Sequence, residues 1–143
     1  MGTTNELLLD QLGQLLRQLT RLAGGADDGP AMTASQRIAL VELGQDGPLR
    51  LNDLARRMGT SAPTASRSVD TLESLGLVAR APEAGDRRAL SIDVTERGRA
   101  LLDERLTRAA RAFEPASATL SAAERRELLA LLRRMTDALR AAS

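Results

Sequence analysis

The 143 residues include no Cys, His, Lys, Tyr or Trp, and Phe113 is the single aromatic side chain. Each absence closes a chemistry. Ser-His-Asp and Cys-His catalysis, a Schiff-base lysine and any His/Cys metal site all need residues the chain lacks. Without a thiol there is no cysteine redox switch, and without an imidazole no histidine pH switch. A catalyst would have only carboxylates, Arg, Ser and Thr, so the expectation is no enzyme, no cofactor and no metal. Strand formers are scarce too. Val and Ile together number six, against 26 Leu and 24 Ala, so a mainly helical fold is expected. No apolar run approaches membrane-spanning length, and Leu128-Leu129-Ala130-Leu131-Leu132 is closely flanked by Arg and Glu. The start lacks a basic n-region, and Glu6 stands where a myristoylation motif wants Ser or Thr. These features predict a soluble, cytoplasmic protein with no membrane partner.

Charge is balanced: 20 Arg face 19 acidic residues, for a formal net charge of +1. The sequence pI of about 8.9 overstates the basic character, because almost nothing but the α-amino group titrates between mildly acidic and strongly alkaline pH. A nucleic-acid reading therefore has to rest on where the arginines sit. Using Arg for every cation suits phosphate and guanine recognition, although codon bias explains the same usage without any function.

Periodicity sets out the elements. Leu8, Leu12, Leu15, Leu19 and Leu22 alternate spacings of four and three, predicting a helix from about Glu6 to Leu22 that stops at Gly24-Gly25. A polar loop, Ala26-Asp27-Asp28-Gly29-Pro30, follows. Thr33-Ala34-Ser35-Gln36 has the form of a capping box and opens a second helix, with Ile38, Leu40, Val41 and Leu43 as its apolar positions. A short helix beginning near Asn52 turns Leu54, Ala55 and Met58 inward. Gly59-Thr60 makes a corner, and Ser61 caps a helix that tolerates Pro63 in its first turn. On that helix Ala65, Val69 and Leu72 share one face. Pro63, Arg67, Asp70 and Ser74 point the opposite way, with Thr64, Ser66 and Thr71 on the flanks. Gly76 suits the position after the helix end.

Leu77 to Arg80 and Ala89 to Val94 are strand-like, Leu90, Ile92 and Val94 alternating with Ser91 and Asp93. They flank Pro82-Glu83-Ala84-Gly85-Asp86-Arg87-Arg88, predicting a hairpin with an Arg-tipped polar loop. Thr95 caps a long helix with Leu102, Leu106, Ala109 and Phe113 in register, broken by Pro115. Ser121-Ala122-Ala123-Glu124 starts a last helix with Leu128, Leu132, Met135 and Leu139 in heptad spacing.

A short helix, a tight corner, a second helix and a two-stranded hairpin make a winged helix-turn-helix, and the small polar outward face can lie in a major groove. Between Asp53 and Arg88 there are six Arg and five acids, so the local field is weak and placement decides. Leu54-Ala55-Arg56-Arg57-Met58-Gly59, Pro63 through Glu73 and Leu75-Gly76-Leu77-Val78 resemble the helix-turn-helix of the multiple-antibiotic-resistance regulator (MarR) family. The resemblance continues through Asp86-Arg87-Arg88 to Val94-Thr95-Glu96-Arg97-Gly98, with Thr33, Gln36 and Leu120 through Leu128 resembling the flanking helices. It implies a single domain over residues 1–143, in which 6–30 and 99–143 form a helical dimerisation region and 31–98 binds DNA. The partners it implies are double-stranded DNA as a pseudo-palindromic operator, a second copy of the chain, and a small-molecule effector of unknown identity.

By position in that family, Ser61, Pro63, Thr64, Ser66 and Arg67 fall on the DNA-facing helix. Arg88 falls where a wing arginine enters the minor groove, oriented by Asp86, and Arg87 lies nearer the phosphates. The dimer interface would use Leu8, Leu12, Leu15, Leu19, Leu128, Leu132, Met135 and Leu139. From the residues alone the two leucine stripes could equally pack on each other within one subunit. Family members that sense by cysteine or zinc use residues missing here, and phenolic ligands would find only Phe113. The alternative function is a winged-helix protein-interaction module, but its exposed face is small and polar for a binding hot spot. A third reading is an enzyme using paired carboxylates, such as Asp86 with Glu83, but both lie in an exposed loop with nothing to raise a pKa.

Overall fold

The computed structural model describes residues 2–24 and 29–142. Six helices and one hairpin follow in the order α1 (Thr4–Gly24), α2 (Ala34–Asp46), α3 (Leu51–Met58), α4 (Ala62–Ser74), β1 (Val78–Glu83), β2 (Asp86–Val94), α5 (Glu96–Ser117) and α6 (Ala122–Ala141). Caps set several of these limits. At α2 the Thr33 side chain accepts from the Gln36 N–H while the Gln36 side chain accepts from the Thr33 N–H, and Ser121 and Glu124 do the same at α6. The expected stop at Gly25 and the loop Ala26-Asp27-Asp28 lie outside the described residues.

The chain divides into two compact units, Ala26–Thr107 and Met1–Gly25 with Arg108–Ser143. In the first, Leu40 and Leu43 of α2, Leu54 of α3 and Val69 and Leu72 of α4 close a core with Leu77, Val78 and Ile92. The hairpin is antiparallel, from Val78 opposite Val94 to Glu83 opposite Asp86. Leu49 adds a short bridge to the other edge of β2, exchanging backbone bonds with Ile92 at 2.9 and 2.8 Å. The junction from α4 into the wing is fixed by backbone geometry. Gly76 takes a positive φ of 73°, its N–H donates to the Glu73 carbonyl and the Leu77 N–H to the Leu72 carbonyl. Thr95 then ties the far end of the wing to the same place, its hydroxyl donating to the Gly76 carbonyl at 2.6 Å and accepting from the Gly98 N–H. Gly98 is buried because the Leu77 carbonyl lies where a Cβ would stand.

Several expectations need correction. On α2 it is Ala39, Leu40 and Leu43 that are buried, whereas Ile38 and Val41 are exposed. This helix has apolar residues on two faces, and only one is used by the unit's core. Leu90 is exposed because it sits out on the wing, paired with Pro82, beyond the core that covers Ile92. Leu106 is 70% exposed, so the register of apolar residues on α5 does not extend through it. Pro115 does not break α5, which runs two residues past it; with no N–H to give the Arg111 carbonyl, it weakens only a helix that ends within the same turn.

In the second unit, all twenty residues of α6 are exposed. On α1, Leu12 and Leu19 are half-buried, while Leu8 and Leu15 are exposed. Among the described residues, then, the two leucine stripes are exposed or half-buried, and none of their leucines is fully enclosed.

Candidate nucleic-acid interface

Gly59 ends α3 in the left-handed conformation, with its N–H on the Arg56 carbonyl, and the chain turns into α4 within three residues. Ser61 caps α4. Its hydroxyl oxygen accepts from the Thr64 N–H at 3.3 Å and its O–H donates to Thr64 Oγ1 at 3.0 Å. Ala65, Ser68, Val69 and Leu72 go into the core. That leaves Pro63, Arg67, Asp70 and Ser74 exposed on the far face, with Thr64, Ser66 and Thr71 half-buried at its edges, as the spacing predicts. Arg67 Nη2 approaches Thr64 Oγ1 at 3.5 Å and meets no carboxylate among the described residues.

The acids of this face are already matched. Arg80 on β1 donates through Nη2 to Asp70 at 2.7 Å and through Nη1 to Glu73 at 3.3 Å. Arg56 pairs with Asp53 at 2.7 Å, and Arg57 with Asp46 at 2.6 Å. Arg50 makes a two-bond fork to Glu83, Nε to Oε1 at 2.8 Å and Nη2 to Oε2 at 2.6 Å. That hydrogen-bonding raises the Arg50 guanidinium further above its usual range and holds the Glu83 carboxyl below the ordinary carboxylate value. A carboxyl whose pKa falls on folding stabilises the pair above its unfolded pKa, and the contribution is lost as pH drops through the folded one. Glu83 is thus committed to Arg50, which removes it from any acid-base pair with Asp86.

The hairpin tip differs from expectation. The strands run further out than predicted, the turn is Ala84-Gly85 with Gly85 at φ 91°, and Arg87 and Arg88 stand on β2 rather than in the loop. Asp86 accepts from the Arg88 backbone N–H at 3.0 Å and not from its guanidinium. Its hold on Arg88 is therefore through the backbone of the turn. Both guanidinia are exposed and meet no carboxylate among the described residues. From Arg50 to Arg88, then, the arginines without a carboxylate partner are Arg67, Arg87 and Arg88, the three singled out on sequence grounds. Arg50 and Arg80 were missed. Only the folded chain brings Arg80 back onto α4, and only the observed start of α3 at Leu51 puts Arg50 in a helix-capping position.

A helix-turn-helix with a wing, with Asp53, Asp70, Glu73 and Glu83 paired internally and three guanidinia left facing out, defines a DNA-binding module. The comparisons give the family. The MarR family profile matches residues 32–89. The HTH-type transcriptional repressor NicR of Pseudomonas putida is 33% identical over 132 residues, covering 90% of this chain and 84% of that protein. RV1404 from Mycobacterium tuberculosis shares the fold with a TM-score of 0.78 at 26% identity, over 96% of this chain and 95% of that one. BpsR of Bordetella bronchiseptica, whose DNA binding is regulated by 6-hydroxynicotinic acid, has a TM-score of 0.66 at 24% identity, over 96% and 98%. The chain belongs to the MarR family. It is a DNA-binding transcriptional regulator and not an enzyme. No helix among the described residues is long and apolar enough to cross a membrane.

Proposed function

We propose that this chain is a cytoplasmic, homodimeric repressor of a pseudo-palindromic operator, released by a small-molecule effector. The observation that carries the reading is the distribution of charge. Arg67, Arg87 and Arg88 are unpaired by carboxylates among the described residues; Asp53, Asp70, Glu73 and Glu83 are held by Arg56, Arg80 and Arg50, and Asp86 accepts from the Arg88 backbone N–H. In this reading α4 lies in the major groove, where Arg67 donates to guanine O6 and N7. Ser61, Pro63, Thr64 and Ser66 line the helix edge toward the phosphates. Arg88 enters the flanking minor groove, most favourably where A·T pairs narrow it and deepen its negative potential. Arg87 stays at the backbone, and Asp86 keeps the turn that presents both.

The apolar stripes of α1 (Leu8, Leu12, Leu15, Leu19) and α6 (Leu128, Leu132, Met135, Leu139) supply the dimer. Exposed leucines in such number are costly in water and are covered by joining two copies about a two-fold axis. The two recognition helices would then lie about 34 Å apart, one turn of DNA. The effector stays chemically open, since Phe113, half-buried, is the single aromatic side chain to receive one.

Footprinting on the DNA upstream of its own gene tests this. The expected pattern is two protected major-groove patches about one helical turn apart, each flanked on the outside by minor-groove protection. A single patch, or protection no different from that on unrelated DNA, would refute it.

A further inference from the structure

Arg50 stands where a helix ordinarily takes its capping side chain. Short side chains with an acceptor oxygen are favoured there, because they receive a free N–H of the first turn. Arg has no acceptor, and α3 has no side-chain cap. In the same chain α2, α4 and α6 carry Thr or Ser at that position and use it. The Arg50 side chain reaches instead to Glu83, thirty-three positions on, in a fork that fixes angle as well as distance. Glu83 is the last residue of β1, next to the turn. The other tie from this side, the Leu49–Ile92 bridge, lies toward the base of the hairpin. Between the two, the ladder changes register at Pro82/Glu83, and Pro82 has no N–H to give. A two-stranded ribbon is a weakly determined structure by itself, so its outer end needs an external strut.

We propose that Arg50 is a positioning residue of the wing: clamped to Glu83, it holds the outer end of the hairpin at one inclination to α3, so that Arg87 and Arg88 meet DNA in a fixed register. The proposal rests on the DNA-binding reading above and adds to it a residue outside α4 and the wing. The competing role for Arg50 is a direct phosphate contact, and the two differ in sign at Glu83. If Glu83 merely occupied a phosphate-binding guanidinium, its neutralisation would free that guanidinium and delete a negative charge, tightening DNA binding.

The absence of cysteine makes the test direct. A nitroxide on Ala84→Cys reports the motion of the exposed tip by electron paramagnetic resonance, on the protein alone. Arg50→Ser and Glu83→Gln are each expected to give a faster nitroxide. Arg50→Ser should melt no lower than the parent, because Ser restores a cap, which separates loss of the strut from loss of folding. The swapped pair Arg50→Glu with Glu83→Arg should return the slow spectrum. On upstream DNA, Glu83→Gln should bind severalfold more weakly at matched salt and lose preference for A·T pairs flanking the half-sites. An unchanged spectrum in both single variants, or tighter binding by Glu83→Gln, would overturn the proposal. Failure of the parent to bind upstream DNA at all would instead refute the function, with the spectra still deciding the strut.

Discussion

The winged-helix unit and the terminal helices are built from the same leucines and alanines, yet they end in opposite states. Leu40, Leu43, Leu54 and Leu72 are fully enclosed. On α6, Leu128, Leu129, Leu131, Leu132 and Leu139 are all exposed. The first group is drawn from several elements that converge, so each helix has a surface to cover its apolar side. The second sits on a long helix whose apolar side is not covered by its own chain. Hydrophobic periodicity says that a helix has a side to bury; it does not say whose surface will bury it.

That contrast can be broken most forcefully by matched lesions. Leu72→Ala opens a cavity in a closed core and is expected to cost about 2–5 kcal/mol, independent of protein concentration. Leu132→Asp should leave the core of the winged-helix unit intact and put a charge into the proposed seam between copies, yielding a folded monomer by sedimentation. A Leu132→Asp variant that sediments as a folded dimer would place this leucine outside any seam between copies. A smaller effect is expected where the wing meets α5. Gly98→Ala drives a Cβ onto the Leu77 carbonyl, and urea unfolding should show a loss of roughly 1–3 kcal/mol. Unchanged stability there would mean the strand-to-helix junction is softer than its packing indicates.

The smallest effect is expected at the hairpin turn. Asp86→Ala removes the acceptor for the Arg88 amide and also one negative charge near DNA. Simple electrostatics favours tighter binding. Loss of the turn is expected to win, weakening operator binding by roughly 0.5–1.5 kcal/mol, the worth of one hydrogen bond. Tighter binding at matched salt would reduce Asp86 to an ordinary turn residue.

Much of this was legible in the residues, because local rules and the final packing agree over most of the chain. The capping boxes at Thr33 and Ser121, the outward face of α4 and the left-handed Gly76 are all local devices, and they stand where the sequence puts them. The misses have a common cause. Ile38 and Val41 are as apolar as the buried residues beside them, and periodicity cannot choose between two apolar faces of one helix. Leu90 obeys the strand alternation but lies beyond the core. Pro115 is compatible with a helix that is about to end, a matter of one turn that composition does not resolve. The site was readable where it depends on helix geometry, as at Arg67. It was not readable where it depends on pairings across the fold: Arg80 with Asp70 and Glu73, and Arg50 with Glu83, decide which arginines remain outward.

In the proposed complex the outward, carboxylate-free guanidinium of Arg67 on α4 reads sequence. Fluorescence-anisotropy titration of the parent chain and Arg67→Ala, on upstream DNA and on a scrambled duplex of equal length and salt, tests this role. The expected result is a parent that prefers the upstream duplex by roughly a thousandfold or more. Arg67→Ala should lose about 1–3 kcal/mol on that duplex and little on the scrambled one. Equal losses on both duplexes would make Arg67 a phosphate contact and contradict the claim.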